Sequence, residues 1–224
     1  MGKLHTVLCT VLILAAAFRS AVAFDYYTFA LQWPAGRCSV RDVPCSVPLI
    51  FYFTVHGLWP SLYGGGSVTQ CGYKDPIALA NELGPPLTGV YLPASMPQIL
   101  DFQNRSGDPD QNFWADQWNE HGSCSELAPV DYFLEILRLT RDIDLLQELE
   151  SQNIVPGGTY LVGDFVAALP NRTALIECQI DLNGRYFLLE IRVCYDAGRE
   201  AMPCPTPDYD SCGGPMSPVD FTGM

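Results

Sequence analysis

Lysine is almost missing from this sequence: Lys3 and Lys74 are its only examples among 224 residues, and arginine raises the basic total to just 12 against 25 acidic residues. A chain so poor in positive charge carries no basic stripe or arm, which excludes stable, high-affinity nucleic-acid binding as its role. A turnover enzyme acting on RNA stays open, because a catalytic cleft needs only local complementarity. Histidine is nearly as scarce, with His5, His56 and His121 the full set. Internal repeats and low-complexity tracts are absent. The apolar run from Val7 to Phe18 is too short to cross a bilayer, and nothing later supplies the roughly 18 apolar residues that a membrane helix needs. Paired CxxC spacings are lacking too, so no metal site or cofactor is expected.

What is present points to export. Lys3, the apolar run and the small-residue exit Ala21-Val22-Ala23 read as a secretory signal over residues 1–23, leaving a soluble chain over 24–224. Without Lys3 and Arg19 that chain has 10 basic residues against 25 acidic ones, a net charge of −15. No linker divides it, so one domain is expected. Eight cysteines remain, Cys38, Cys45, Cys71, Cys124, Cys178, Cys194, Cys204 and Cys212, and an even number in an exported chain argues for four disulfides without choosing a connectivity. Asn104-Arg105-Ser106 and Asn171-Arg172-Thr173 are glycosylation acceptors, which places both in exposed loops.

Periodicity sketches the elements. Tyr26–Trp33 reads as a strand, and Phe51–Val55 as a second, buried strand that ends at His56. Asp75–Leu83 reads as a short helix, followed by a Gly/Pro-rich surface excursion up to Pro97. Asp110–His121 is a helix entered through Asp-Pro-Asp, and apolar residues three and four apart predict one long helix over Asp131–Gln152. Ala174–Ile180 and Arg185–Tyr195 form a hairpin about Asn183-Gly184, where both residues tolerate positive φ. The sum is an α+β domain with an antiparallel sheet.

Once His5 leaves with the signal, His56 and His121 are the only imidazoles. Each precedes a glycine among aromatics, in Phe53-Thr54-Val55-His56-Gly57-Leu58-Trp59-Pro60 and in Phe113-Trp114-Ala115-Asp116-Gln117-Trp118-Asn119-Glu120-His121-Gly122-Ser123-Cys124. Either ring alone reads as ordinary packing. Together they suit acid–base work, since a neutral imidazole accepts a proton while a charged one gives it up. Cleavage of RNA by its own 2′-hydroxyl needs that pair and no metal.

These two strings resemble the signatures of the ribonuclease T2 family, FTVHGLWP matching the first and FWADQWNEHGSC the second. Phe24-Asp25 through Gln32-Trp33-Pro34 to Cys38, then Asp131-Tyr132-Phe133 and Ile154-Val155-Pro156, extend the resemblance over most of the chain. It implies an α+β fold with a central antiparallel sheet, flanking helices and four disulfides, paired Cys38 with Cys45, Cys71 with Cys124, Cys178 with Cys212 and Cys194 with Cys204. It also implies a secreted or vacuolar endoribonuclease that takes single-stranded RNA through a 2′,3′-cyclic phosphate, acting as a monomer. His56 and His121 match the paired catalytic histidines. Gln32, Gln98, Leu100 and Phe113 fall where the family holds a base, and Trp59 matches the aromatic that braces the site.

The second signature departs from the pattern around the scissile phosphate. The family's His, Glu and Lys are here Asp116, Gln117 and Glu120. Gln117 keeps N–H donors and Asp116 loses an imidazole. Glu120 exchanges a cation for an anion, worth about 3 kcal/mol at ~5 Å and an effective dielectric of ~20. An attenuated ribonuclease is therefore expected. The alternatives are a non-catalytic storage or defence protein, and a self-incompatibility recognition protein, against which the acidic charge counts.

Overall fold

The computed structural model describes residues 23–40, 44–45, 49–100, 105–169, 174–205 and 210–223. The segment expected to be a secretory signal, apart from Ala23, and the asparagines of both expected glycosylation sequons, Asn104 and Asn171, lie outside the described residues. Among the described residues no helix is long and apolar enough to cross a membrane.

Strand β1 (Tyr26–Gln32) is buried along its whole length. A short helix α1 (Pro34–Ser39) follows it, and then β2 (Thr54–Ser61), which pairs antiparallel with β1. The expected strand ending at His56 is corrected: pairing starts at Thr54 and runs past the histidine to Ser61. Pro60 is tolerated within it because β2 stands at the end of the strand order, where a missing N–H is harmless.

Helix α2 (Pro76–Leu83) starts under an Asp75 side chain that accepts the backbone N–H groups of Ile77 and Ala78. The stretch expected to wander over the surface instead coils into a π-helical turn (Leu87–Tyr91) and α3 (Leu92–Ser95), because Leu87, Leu92 and Met96 bury themselves in the core. Helix α4 (Pro109–Glu120) is capped by Asp108, which accepts from Gln111. The single long helix expected over 131–152 is two, α5 (Pro129–Asp142) and α6 (Leu145–Ser151). Ile143 turns extended between them, and the Asp144 side chain caps the new start by accepting from Gln147.

The remaining elements are β3 (Thr159–Leu161), α7 (Val162–Ala167), β4 (Leu175–Ile180), β5 (Tyr186–Asp196), β6 (Ala201–Met202) and β7 (Pro218–Asp220). Strands β4 and β5 form the expected hairpin, but only Gly184 takes positive φ, at 81°. Asp181 closes the turn by accepting the N–H groups of Asn183 and Arg185. The sheet runs β2-β1-β5-β7-β3, with β4 and β6 also on β5. It is mixed, not wholly antiparallel: β5 and β7 run parallel.

Tyr27, Phe29 and Leu31 of β1 enter the main core with Leu58 of β2 and with Trp114, Trp118, Tyr132, Phe133 and Ile136 from α4 and α5. Thr28, Ala30 and Gln32 alternate with them and face the other way, aligned with Cys194, Arg192 and Glu190 of β5. The four disulfides are those the resemblance implied: Cys38–Cys45, Cys71–Cys124, Cys178–Cys212 and Cys194–Cys204. Cys71–Cys124 ties the loop after β2 to the end of α4.

Candidate active site

A β-bulge aims His56. On β1 Ala30 pairs with Gly57 and Leu31 with Val55, so His56 is an extra residue without a partner on β1. The imidazole leans over β1 and its Nδ1 meets Glu190 Oε2 at 2.7 Å. These two residues belong to strands separated by β1, roughly 9–10 Å apart. The small Ala30 side chain in the intervening strand leaves that crossing open.

Glu190 is 2% exposed, and its second oxygen accepts from Arg192 Nε at 2.9 Å. Burial pushes its carboxyl pKa up, but the attraction of His56 and Arg192 outweighs this and holds it down, at about 2. Arg192 also donates to Glu177 at 2.8 Å and lies 5.0 Å over the ring of Trp59. With Nδ1 engaged by Glu190, Nε2 is the His56 nitrogen left for chemistry.

His121 ends α4 at a break in the helix, with φ −129° and ψ −54°. Trp59 contacts both imidazoles: its ring is 5.1 Å from that of His56, edge to face, and 5.0 Å from that of His121. Phe113 stacks on His56 at 6.0 Å, and Trp59 Nε1 donates to Gln117 Oε1 at 3.0 Å, which leaves the Gln117 NH2 as an available donor. His121 Nδ1 is buried without a hydrogen-bond partner among the described residues. Burial, joined by repulsion from His56 and Arg192, lowers the His121 pKa to about 4. This ring is neutral over most of the mildly acidic and neutral range.

The glycines after both histidines are steric necessities. A Cβ at Gly57 would stand 2.3 Å from Gln117 Oε1 and from Trp59 Nε1, and one at Gly122 would stand 2.8 Å from the Trp118 ring.

The three altered positions of the second signature have separate fates. Gln117 joins the site. Glu120 is exposed, and both its oxygens accept from the side-chain amide of Gln70 at 3.2 Å. Asp116 holds the Arg105 guanidinium in a two-pronged pair, Nη2 to Oδ1 being 2.7 Å. Of the candidate base contacts, Phe113 and Trp59 meet the histidines. Gln32 lies under them, aligned with Thr54 and Glu190. Gln98 and Leu100 form a neighbouring group: the Gln98 N–H donates to Asp110 at 2.7 Å, and Leu100 is bridged to Cys45. Asp110 is itself half-buried, which raises its pKa.

Sequence reasoning missed Glu190 and Arg192. Their i, i+2 spacing within an apolar strand imitates an ordinary solvent-facing edge of polar side chains. Among the described residues, no group of three His, Cys, Asp or Glu side chains is placed to hold a metal ion.

The chain is similar to known proteins over most of its length. The chain is 26% identical over 210 residues to the extracellular ribonuclease LE of Solanum lycopersicum, covering 88% of each. It is 30% identical to ribonuclease S-2 of Pyrus pyrifolia, covering 84% of this chain and 85% of that one. Its identity to a ribonuclease-like storage protein of Panax ginseng is 28%, over 85% and 79% of the two chains. Among solved structures, the self-incompatibility-associated SF11-RNase of Nicotiana alata superposes with a TM-score of 0.75 at 28% identity, over 90% of this chain and 100% of that one. A variant of RNase MC1 from bitter gourd seeds, solved with 5′-GMP, superposes with 0.74 at 26% identity, over 89% and 100%. The sequence profile of the Ribonuclease T2 family matches residues 24–204, and the chain belongs to that family.

Proposed function

We propose that this protein is an endoribonuclease that cleaves single-stranded RNA through a 2′,3′-cyclic phosphate, with His56 and His121 as its acid–base pair. One observation carries the reading: the only two imidazoles of residues 24–224 meet one and the same indole, each about 5 Å from it.

The roles follow from the surroundings. His121, kept neutral by burial, is the base: it takes the proton of the ribose 2′-hydroxyl as that oxygen attacks phosphorus. His56 faces a buried anion through Nδ1, and its Nε2 gives a proton to the departing 5′-oxygen. The bond from phosphorus to the 5′-oxygen breaks, and the cyclic phosphate remains. Gln117 donates its NH2 to a phosphate oxygen as negative charge develops. Gln32, Gln98, Leu100 and Phe113 border the base, while Trp59 braces both rings. No cofactor is required.

Activity is reduced relative to family members with lysine at the position of Glu120. The reduction is smaller than the charge reversal alone suggests, because Glu120 is exposed to screening water and engaged by Gln70. The chain follows the secretory route as a monomer, with glycans on Asn104 and Asn171.

The test is cleavage of polyuridylate by the wild type, His56→Ala, His121→Ala and Glu120→Lys across pH 4–8. Both alanine variants are expected to lose at least ~10²-fold, and the lysine variant to gain. Cleavage that survives in both alanine variants contradicts the mechanism, and no gain from lysine at any pH contradicts the charge argument. The resemblance to the Panax ginseng storage protein favours a second reading, a storage protein on the same fold. Wild-type protein that folds but does not cleave RNA would favour it over the ribonuclease reading.

A further inference from the structure

We propose that Arg105 is a phosphate-binding residue of this site, presented to the substrate by Asp116. The inference rests on the ribonuclease reading above and gives Asp116 a role opposite to the loss it suggests in the sequence.

The pair lies on the helix that ends at His121. Asp116 sits on α4 next to Gln117, which bonds Trp59, and about 60° around the helix from Phe113, which stacks on His56. Arg105 arrives from the chain preceding the helix, and its backbone is fixed there: the buried Asn112 side chain donates to the Ser106 carbonyl at 2.9 Å, and Asp108 caps the first turn. A guanidinium has five N–H donors, and the fork to Asp116 uses two. Three remain to face a ligand, in the planar geometry that grips phosphate as it does carboxylate.

Among the described residues, Arg192, the cation that meets Trp59 and Glu190, is locked between Glu190 and Glu177. Arg105 has one carboxylate partner and is 41% exposed, as is Asp116. An ion pair so open to water contributes little to stability, so holding the fold together is a weak reason for its geometry. Positioning a cation is a stronger one. The position at which the family resemblance leads one to expect an imidazole thus supplies an arginine, borrowed from outside the helix.

Calorimetric titration with uridine 3′-monophosphate and with inorganic phosphate tests this without relying on turnover. Arg105→Ala is expected to weaken both by about tenfold or more, Asp116→Ala to weaken them less, and Arg105→Lys to fall between wild type and alanine. Thermal midpoints should stay at the wild-type value, separating lost recognition from lost folding. The same variants raise KM for polyuridylate more than they lower kcat. Equal phosphate affinity in wild type and Arg105→Ala overturns the proposal, whether or not the protein cleaves RNA. Inactive wild-type protein that still binds phosphate through Arg105 would overturn the ribonuclease reading alone.

Discussion

A buried carboxylate is tolerable only when positive partners satisfy its oxygens, and Glu190 meets that condition with His56 on one oxygen and Arg192 on the other. The arrangement fixes the imidazole's orientation and leaves Nε2 out of the contact with Glu190. Glu190→Gln keeps the shape and removes the charge. We expect kcat on RNA to fall about 10–100-fold with KM little changed, since an orienting group acts on the chemical step. The loss should shrink on a substrate whose leaving atom is sulfur, which departs without a proton. An equal loss on both substrates would count against a role through His56. At this scale the sequence singled out His56 and His121 by their aromatic His-Gly settings, and the structure brings both rings to one indole. The sequence was illegible for Glu190 and Arg192, whose burial depends on His56 and Trp59 of a strand two places away.

Among the elements, the bulge in β2 and the break at the end of α4 do the aiming. Both allow a side chain to leave the regular ladder or spiral at the residue where a ring is needed. Their close approach leaves no space at Gly57, where an added methyl meets the Trp59 and Gln117 side chains. Gly57→Ala is therefore expected to lower activity by more than about tenfold and to destabilise the fold by about 1–3 kcal/mol, as measured by urea unfolding beside a polyuridylate assay. A variant with normal activity would mean that the indole does not set the spacing of the two rings. Removing Cys71–Cys124, which spans 53 residues, would in addition loosen the end of α4, at a cost of about 4 kcal/mol in the chain-entropy picture. The hairpin, α2 and α4 were legible because turn and cap residues mark their ends. The split between α5 and α6 was not, because the apolar spacing continues through Ile143 while Asp144 restarts the helix. The small strands β3 and β7 carry too few residues for a period to show.

Over the whole molecule, acidity links charge to stability. The His121 pKa is about 4 in the fold against an ordinary 6.5, so the unfolded chain binds its proton first. That contribution is present in full above pH 6.5 and is lost as pH falls to about 4, with a ceiling of about 3 kcal/mol that partial solvent access lowers. Glu190 acts in a lower window, its contribution being lost as pH falls from about 4.5 to about 2. Protonating other carboxylates relieves self-repulsion in this chain of net charge −13, so the useful quantity is a difference between proteins. Urea stability of the wild type minus that of His121→Phe should decrease between pH 6.5 and pH 4; a constant difference would show that His121 titrates normally. Element periodicity and the family resemblance carried by the two signatures made the fold class readable, and that resemblance alone gave the disulfide pairing, whereas the parallel β5–β7 pair depends on the far end of the chain returning to the sheet. The most direct test of the assigned roles is the rate of cleavage of a dinucleotide with a bridging 5′-sulfur by His56→Ala and His121→Ala. If His56 is the acid and His121 the base, the sulfur substrate restores the first variant toward wild-type rates and leaves the second inactive. Rescue of His121→Ala instead, or of neither, would contradict the account.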